Sequence, residues 1–138
     1  MDRIIVSTNK ERLNVKFIND FISNSYWGKG RSMEETKKCI KNSLNFGIYL
    51  NENQIGYARI VSDFTVFAYI MDVFITEAER EKGYSTILLN EVFNNYKLKE
   101  VKNWKLATSD AHSLYKKFGF DLLNNPENMM ERKQKNIF

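Results

Sequence analysis

The stretch Asp72-Val-Phe-Ile-Thr-Glu-Ala-Glu-Arg-Glu-Lys-Gly-Tyr-Ser-Thr-Ile-Leu-Leu89 decides how this chain folds. Its first residues are apolar and β-branched, which predicts a strand. A charged turn with Arg80, Lys82, Gly83 and Ser85 follows. A helix then runs from about Gly83 to Tyr96, with Ile87, Leu88, Val92 and Phe93 among its apolar residues. A strand, a basic glycine turn and a helix start bring free backbone N–H groups and the positive end of a helix to one place. That combination suits a phosphate-bearing ligand.

The remaining chain supplies the frame. At 138 residues, with 43% hydrophobic and 14% aromatic content, one globular domain is expected over 1–138. Arg3–Ser7 reads as a first strand, and apolar positions from Lys10 to Ser23 recur at helical spacing. The loop Asn24–Arg31 carries Tyr26 and Trp27. These rings either pack down over the first helix or line a substrate pocket, with Arg31 beside them. Ser32 and Glu35 form a capping box for a second helix, from Met33 to about Ser43. Phe46–Leu50 and Gln54–Val61 read as a hairpin, and Thr65–Ile75 as a third antiparallel strand in succession. Trp104–Thr108 is a further strand, reached through a helix, so parallel pairing is favoured. Ser109 or Asp110 can cap a short helix that Gly119 ends, and Asn128–Arg132 is a candidate last edge strand.

Several classes of function are disfavoured. One cysteine, Cys39, and one histidine, His112, provide neither a disulfide nor a metal-ligand cluster. The net charge of +4 is mild and scattered, without the basic stripe of a nucleic-acid reader. No apolar run is long enough to span a bilayer, and the N-terminus lacks a signal-peptide core, so a cytoplasmic protein is expected.

The order β-α-α-β-β-β-α-β-α-β resembles the GCN5-related N-acetyltransferase (GNAT) family, an α/β fold with a mixed central sheet splayed between its fourth and fifth strands. Two motifs carry the resemblance. Arg80-Glu-Lys-Gly83-Tyr-Ser85 is similar to the family's phosphate turn, and Leu114-Tyr115-Lys-Lys-Phe-Gly119-Phe120 to its C-terminal pattern. A small bacterial subgroup also shares Tyr26-Trp27-Gly28 with Arg31, Asp72-Val73-Phe74, and Ala107-Thr108-x-Asp110-Ala111-His112. Two positions depart from the pattern. Ser85 stands where Gly or Ala is usual, and Glu81 where many members have Gly; Glu81 is expected to point outward.

The resemblance implies an enzyme that transfers an acetyl group from acetyl-CoA to a primary amine of a small or amino-acid-like molecule. It implies backbone contacts to the pantetheine arm from Val73 and Ile75, with an oxyanion donor at Val73 or Phe74. The pyrophosphate would be held by Arg80, Lys82 and the N–H groups from Glu81 through Gly83 and Tyr84 to Ser85. Thr108 would add a hydrogen bond, and Tyr115 would be the acid that protonates the leaving thiolate. By the same resemblance Tyr69 stands where other members carry a basic glutamate. Tyr26, Trp27, Arg31, Phe67 and Tyr69 are the expected acceptor pocket. Asp72, an acid in an apolar strand, needs a partner or a role that justifies its burial. It could be a base, an anchor for a substrate ammonium, or an acceptor for loop N–H groups. His112 is expected to be structural. A protein or peptide acceptor, and a CoA-binding regulatory module without turnover, are the alternatives. Family members are often dimers, so a homodimer through the last strand is compatible with the sequence.

Overall fold

The computed structural model describes residues 1–134. Met1–Ala107 form one compact unit, and a second begins at Thr108. The first unit holds a five-stranded sheet in the order β1-β2-β3-β4-β5: Ile4–Ser7, Leu44–Leu50, Asn53–Ser62, Phe67–Ile75 and Asn103–Leu106. β2, β3 and β4 pair antiparallel in succession and β4 pairs parallel with β5, as the sequence predicts, and β1 adds to the edge antiparallel to β2. Helices α1 (Val15–Ser23) and α2 (Met33–Lys41) lie between β1 and β2, and α3 (Tyr84–Phe93) between β4 and β5.

Local chemistry explains where the elements begin. The helix expected from Lys10 is divided: Lys10–Arg12 form a 3-10 turn, and α1 starts only after Asn14, whose side chain accepts from the Phe17 N–H. Two Asn caps in succession, Asn9 and Asn14, give the chain two starts where periodicity suggested one. The Ser32–Glu35 capping box opens α2, with both of its hydrogen bonds formed. Asp63 closes the β3–β4 turn by accepting from the N–H groups of Thr65, Val66 and Phe67, so β4 starts at Phe67 and not at Thr65. Helix α3 ends at Phe93, short of Tyr96, because Asn95 caps a separate 3-10 turn over Tyr96–Leu98.

Both faces of the sheet are covered. Phe74 and Tyr57 pair across β4 and β3 and join a buried cluster with Leu13, Ile18, Ile22 and Ile40 from the α1–α2 side. Phe74 stacks on Phe21 with ring centroids 3.9 Å apart. Residues one step along the strands, Phe46, Ile48, Ala58 and Ile60, point the other way and are also fully buried. Helix α3, which contributes buried Leu88, Leu89 and Val92, packs on the sheet.

In the second unit, α4 spans His112–Lys116. Its N-cap position is Ala111, one residue beyond Asp110. The Thr108 hydroxyl accepts from the Ala111 N–H at 3.0 Å in the turn that leads into the helix. Gly119, at φ +90°, ends the helix as expected: its N–H donates to Lys116 and the Phe120 N–H to Tyr115. The expected strand over Asn128–Arg132 does not form among the described residues. Pro126 opens a 3-10 turn there, and the segment after it is exposed without ladder partners.

Because Phe74 touches Phe17, Phe21 and Tyr57, its removal should open a cavity at the centre of the α1–sheet layer. Phe74→Ala is predicted to cost about 3–5 kcal/mol in urea denaturation, and Ile87→Ala, at an exposed site on α3, under about 1 kcal/mol.

Candidate active site

The site is built around an irregularity in β4. Tyr57 pairs with Phe74 and Arg59 with Met71, so two residues of β4, Asp72 and Val73, oppose the single residue Ala58 of β3. This is a β-bulge, and Asp72 carries it with φ +53°. Asp is among the residues that tolerate this region best. Strict alternation would place Asp72 on the face opposite Met71. The bulge overturns that expectation: the Arg59 guanidinium meets the Met71 sulfur at 3.4 Å and the Asp72 carboxylate at 2.7 Å.

Asp72 is buried, and its Oδ2 accepts from two guanidiniums, Arg59 Nε and Arg31 Nη1, each at 2.7 Å. Burial disfavours the charge on Arg31, but the hydrogen bond and charge of Asp72 outweigh it and raise the guanidinium pKa further. Of the roles open to Asp72 on sequence grounds, the structure shows that of an acceptor, with Arg side chains in place of loop N–H groups. Arg59 is the member that the sequence reading missed. Its signal was present: an Arg inside the apolar run Ile55–Val61 needs a buried partner, and Asp72 is the acid in the neighbouring apolar strand.

The expected acceptor residues are only partly brought together. Arg31 reaches β4 through Asp72. Tyr26 is 74% exposed and Trp27 42%, so neither ring packs down into the core. Phe67 is also exposed and stands five residues before Asp72 on β4, roughly 16 Å away along the strand. Tyr69, half-buried, lies between them, paired with Val61 and Lys105.

Beyond the bulge the strand edge is open. Pairing with β5 covers Phe67 to Ile70 and stops, so among the described residues Met71–Ile75 have no ladder partner on that side. This is the splay expected between the fourth and fifth strands. The chain then enters the turn at Arg80. The Arg80 side chain folds back and donates through Nε to the Ile75 carbonyl at 3.0 Å, while Lys82 pairs with Glu79 at 3.0 Å. Glu81 and Gly83 both have positive φ, +63° and +83°, and Glu81 is exposed, in keeping with its expected outward direction. Among the described residues no protein acceptor faces the N–H groups of residues 81–86, and a Cβ built on Gly83 would meet nothing within 4 Å. The turn thus presents a row of free donors at the start of α3, with open space before them.

In the second unit, Tyr115 lies on α4 with Phe120 edge-on at 5.8 Å. Burial, with a smaller contribution from the charge of Asp110, pushes its hydroxyl pKa up to about 12. The phenol therefore keeps its proton throughout the neutral range. His112 is the first residue of α4 and is exposed.

The three-residue ion cluster yields a stability test. Asp72→Asn should leave two guanidiniums without their counter-charge and cost about 3–5 kcal/mol in urea denaturation. Adding Arg59→Met to Asp72→Asn should recover part of that loss, because one of the stranded charges is then removed.

The comparisons with known proteins agree with this geometry. Residues 41–122 match the family model of the acetyltransferase (GNAT) domain. A protein of the GNAT family from Xanthomonas campestris pv. campestris superposes with a TM-score of 0.92 at 34% identity, over 96% of this chain and 94% of that one. A GNAT-family acetyltransferase from Streptococcus pneumoniae shares the fold at a TM-score of 0.70 and 17% identity, covering 100% of both chains. A predicted acetyltransferase from Clostridium acetobutylicum, whose structure contains acetyl-CoA, does so at 0.70 and 18% identity over 96% of each chain. No curated protein matches by sequence. The phosphate turn, the open edge of β4 and the Tyr115 motif all lie inside the matched region, and the chain belongs to the GNAT acetyltransferase family.

Proposed function

We propose that this protein transfers an acetyl group from acetyl-CoA to a primary amine of a small or amino-acid-like acceptor. One observation carries the reading: the unpaired edge Met71–Ile75 leads into a turn whose N–H groups at 81–86 lack protein acceptors. An open edge can take up an extended amide chain as a partial extra strand, and free N–H groups at a helix start favour a pyrophosphate. Backbone groups of Val73 and Ile75 would hold the pantetheine amides, and those of 81–85 the phosphates. Ser85, half-buried in the first turn of α3, is small enough to keep that approach open.

When bound, acetyl-CoA supplies an activated thioester carbonyl. The chain's residues supply the rest. The N–H of Val73 or Phe74, at the bulge, would donate to the developing oxyanion. Tyr115, protonated at neutral pH, would give its proton to the departing sulfur. Thr108 would add a hydrogen bond to the donor. Its oxygen already accepts from Ala111, which leaves its own proton to offer. Asp72 would orient Arg31, and Arg31 the acceptor, with Tyr26 and Trp27 beside it. The exposure of both rings also favours a second reading, in which the acceptor is a peptide amine lying across an open surface.

The test is release of free thiol from acetyl-CoA on addition of a panel of amines, amino acids and peptides. Tyr115→Phe should lower kcat by about 100-fold or more and leave acetyl-CoA affinity unchanged. With the hydroxyl pKa raised to about 12, the wild-type rate should show no falling limb from this group below roughly pH 11. In calorimetry, Ser85→Glu should weaken acetyl-CoA binding at least about tenfold, while Glu81→Ala should change it by no more than about twofold. A wild-type protein that binds no acetyl-CoA would defeat the proposal.

A further inference from the structure

The phosphate turn lies past the C-terminal end of β4, where Ile75 pairs with Gly56. At the other end of β3, six residues and roughly 20 Å further along, there is a second recess. It is a cleft of about 590 Å³ within the first unit, a size suited to a small molecule. Three lysines from three separate elements line it. Lys10 belongs to the 3-10 turn after β1, Lys41 is the last residue of α2, and Lys97 belongs to the 3-10 turn after α3. None of the residues lining the cleft is acidic.

The three ammonium groups gather at one recess and have no carboxylate partner among the described residues. Lys10 Nζ donates to the Lys41 carbonyl at 2.9 Å, which holds its ammonium over the end of α2 and occupies that carbonyl. Among the described residues no carboxylate pairs with Lys10, Lys41 or Lys97. Two acids adjoin the lining residues in sequence, Glu11 beside Lys10 and Asp63 beside Phe64; neither pairs with a lysine of the cleft, and the Asp63 carboxylate accepts from three backbone N–H groups of its own turn. Three like charges around one recess repel each other unless an anion joins them. Ser43 and Ser62 also line the cleft, their hydroxyls engaged with Arg59 and with the Phe64–Phe67 turn respectively.

Phe64 adds a second, independent feature. It also lines the cleft, is 40% exposed, and sits at φ +62°, a region that a bulky side chain rarely adopts. Strain of this kind concentrates at ligand clamps. Here the turn holds an aromatic ring at the cleft with part of its surface open to water.

We propose that the cleft between Lys10, Lys41, Lys97 and Phe64 binds a nucleotide-like polyphosphate, with the phosphates on the lysines and the base against the Phe64 ring. The site is separate from the phosphate turn. It is also connected to the rest of the molecule: Ser43, one of its lining residues, accepts through its hydroxyl from Arg59 Nη1 at 3.1 Å, and Arg59 holds Asp72.

Amide NMR of the full chain, titrated separately with ATP and with inorganic triphosphate, tests this. Both probes should produce saturable shifts at residues 8–10, 41–44, 62–64 and 97, and binding should weaken as salt is raised. Combined Lys10→Ala and Lys41→Ala should lower the affinity of both probes at least about tenfold. Phe64→Ala should weaken ATP several-fold and leave triphosphate unchanged. Shifts confined to residues 81–86, or affinities unmoved in the folded lysine variant, would overturn the proposal. Equal loss of ATP and triphosphate in Phe64→Ala would remove the base contact and overturn the nucleotide assignment.

Discussion

A single carboxylate oxygen organises the middle of this molecule. Asp72 Oδ2 accepts from Arg31 and from Arg59, and both contacts are 2.7 Å long. A buried carboxylate costs several kcal/mol unless it is paired, and two guanidiniums in a sparsely hydrated site provide that pairing. The contacts do more than offset a cost. Asp72 can reach Arg59 only because β4 bulges there, and the bulge is where the strand's alternation resets. Arg31 in turn closes the loop that follows α1. One ion cluster therefore fixes a loop, a strand and the kink in that strand together.

The bulge also adjoins a change at the sheet edge. Upstream of it β4 is paired with β5, and downstream it is not. The unpaired segment runs from the bulge to Ile75, and the Arg80 side chain hydrogen-bonds back to the Ile75 carbonyl. This couples the end of the strand to the turn that follows. Strand edge and turn thus form a continuous line of backbone groups, with side chains directed elsewhere: Phe74 into the α1 layer, Lys82 onto Glu79. Under the proposed function, recognition would run through backbone groups, which makes a departure such as Ser85 tolerable. A small side chain leaves the donors reachable, and the donors themselves do not depend on residue type.

Much of this was legible in the sequence. The strand, turn and helix from Asp72 to Leu89 could be read from period and punctuation, as could the Ser32 capping box and the Gly119 helix stop, because each depends on neighbouring residues alone. The failures have two causes, local caps that periodicity overlooks and partners distant in sequence. Helix boundaries near Lys10 and Tyr96 moved because Asn9, Asn14 and Asn95 compete for the backbone at close quarters, and periodicity does not weigh those caps. The bulge at Asp72 could not be read because it depends on Arg59 across the sheet. For the same reason Tyr26 and Trp27 could be read as aromatic loop residues but not as exposed ones. The sixth strand failed because an apolar pair, Met129–Met130, gives a strand signal without giving it a partner.

The central claim is that the β4 edge and the phosphate turn act as one backbone site for the acetyl donor. Hydrogen–deuterium exchange with and without acetyl-CoA addresses it directly, since it reads backbone N–H groups themselves. The account predicts slowed exchange in two segments together, 71–75 and 81–86, with β1 and β2 unchanged. Protection of neither segment, or of one without the other at saturating acetyl-CoA, would contradict it.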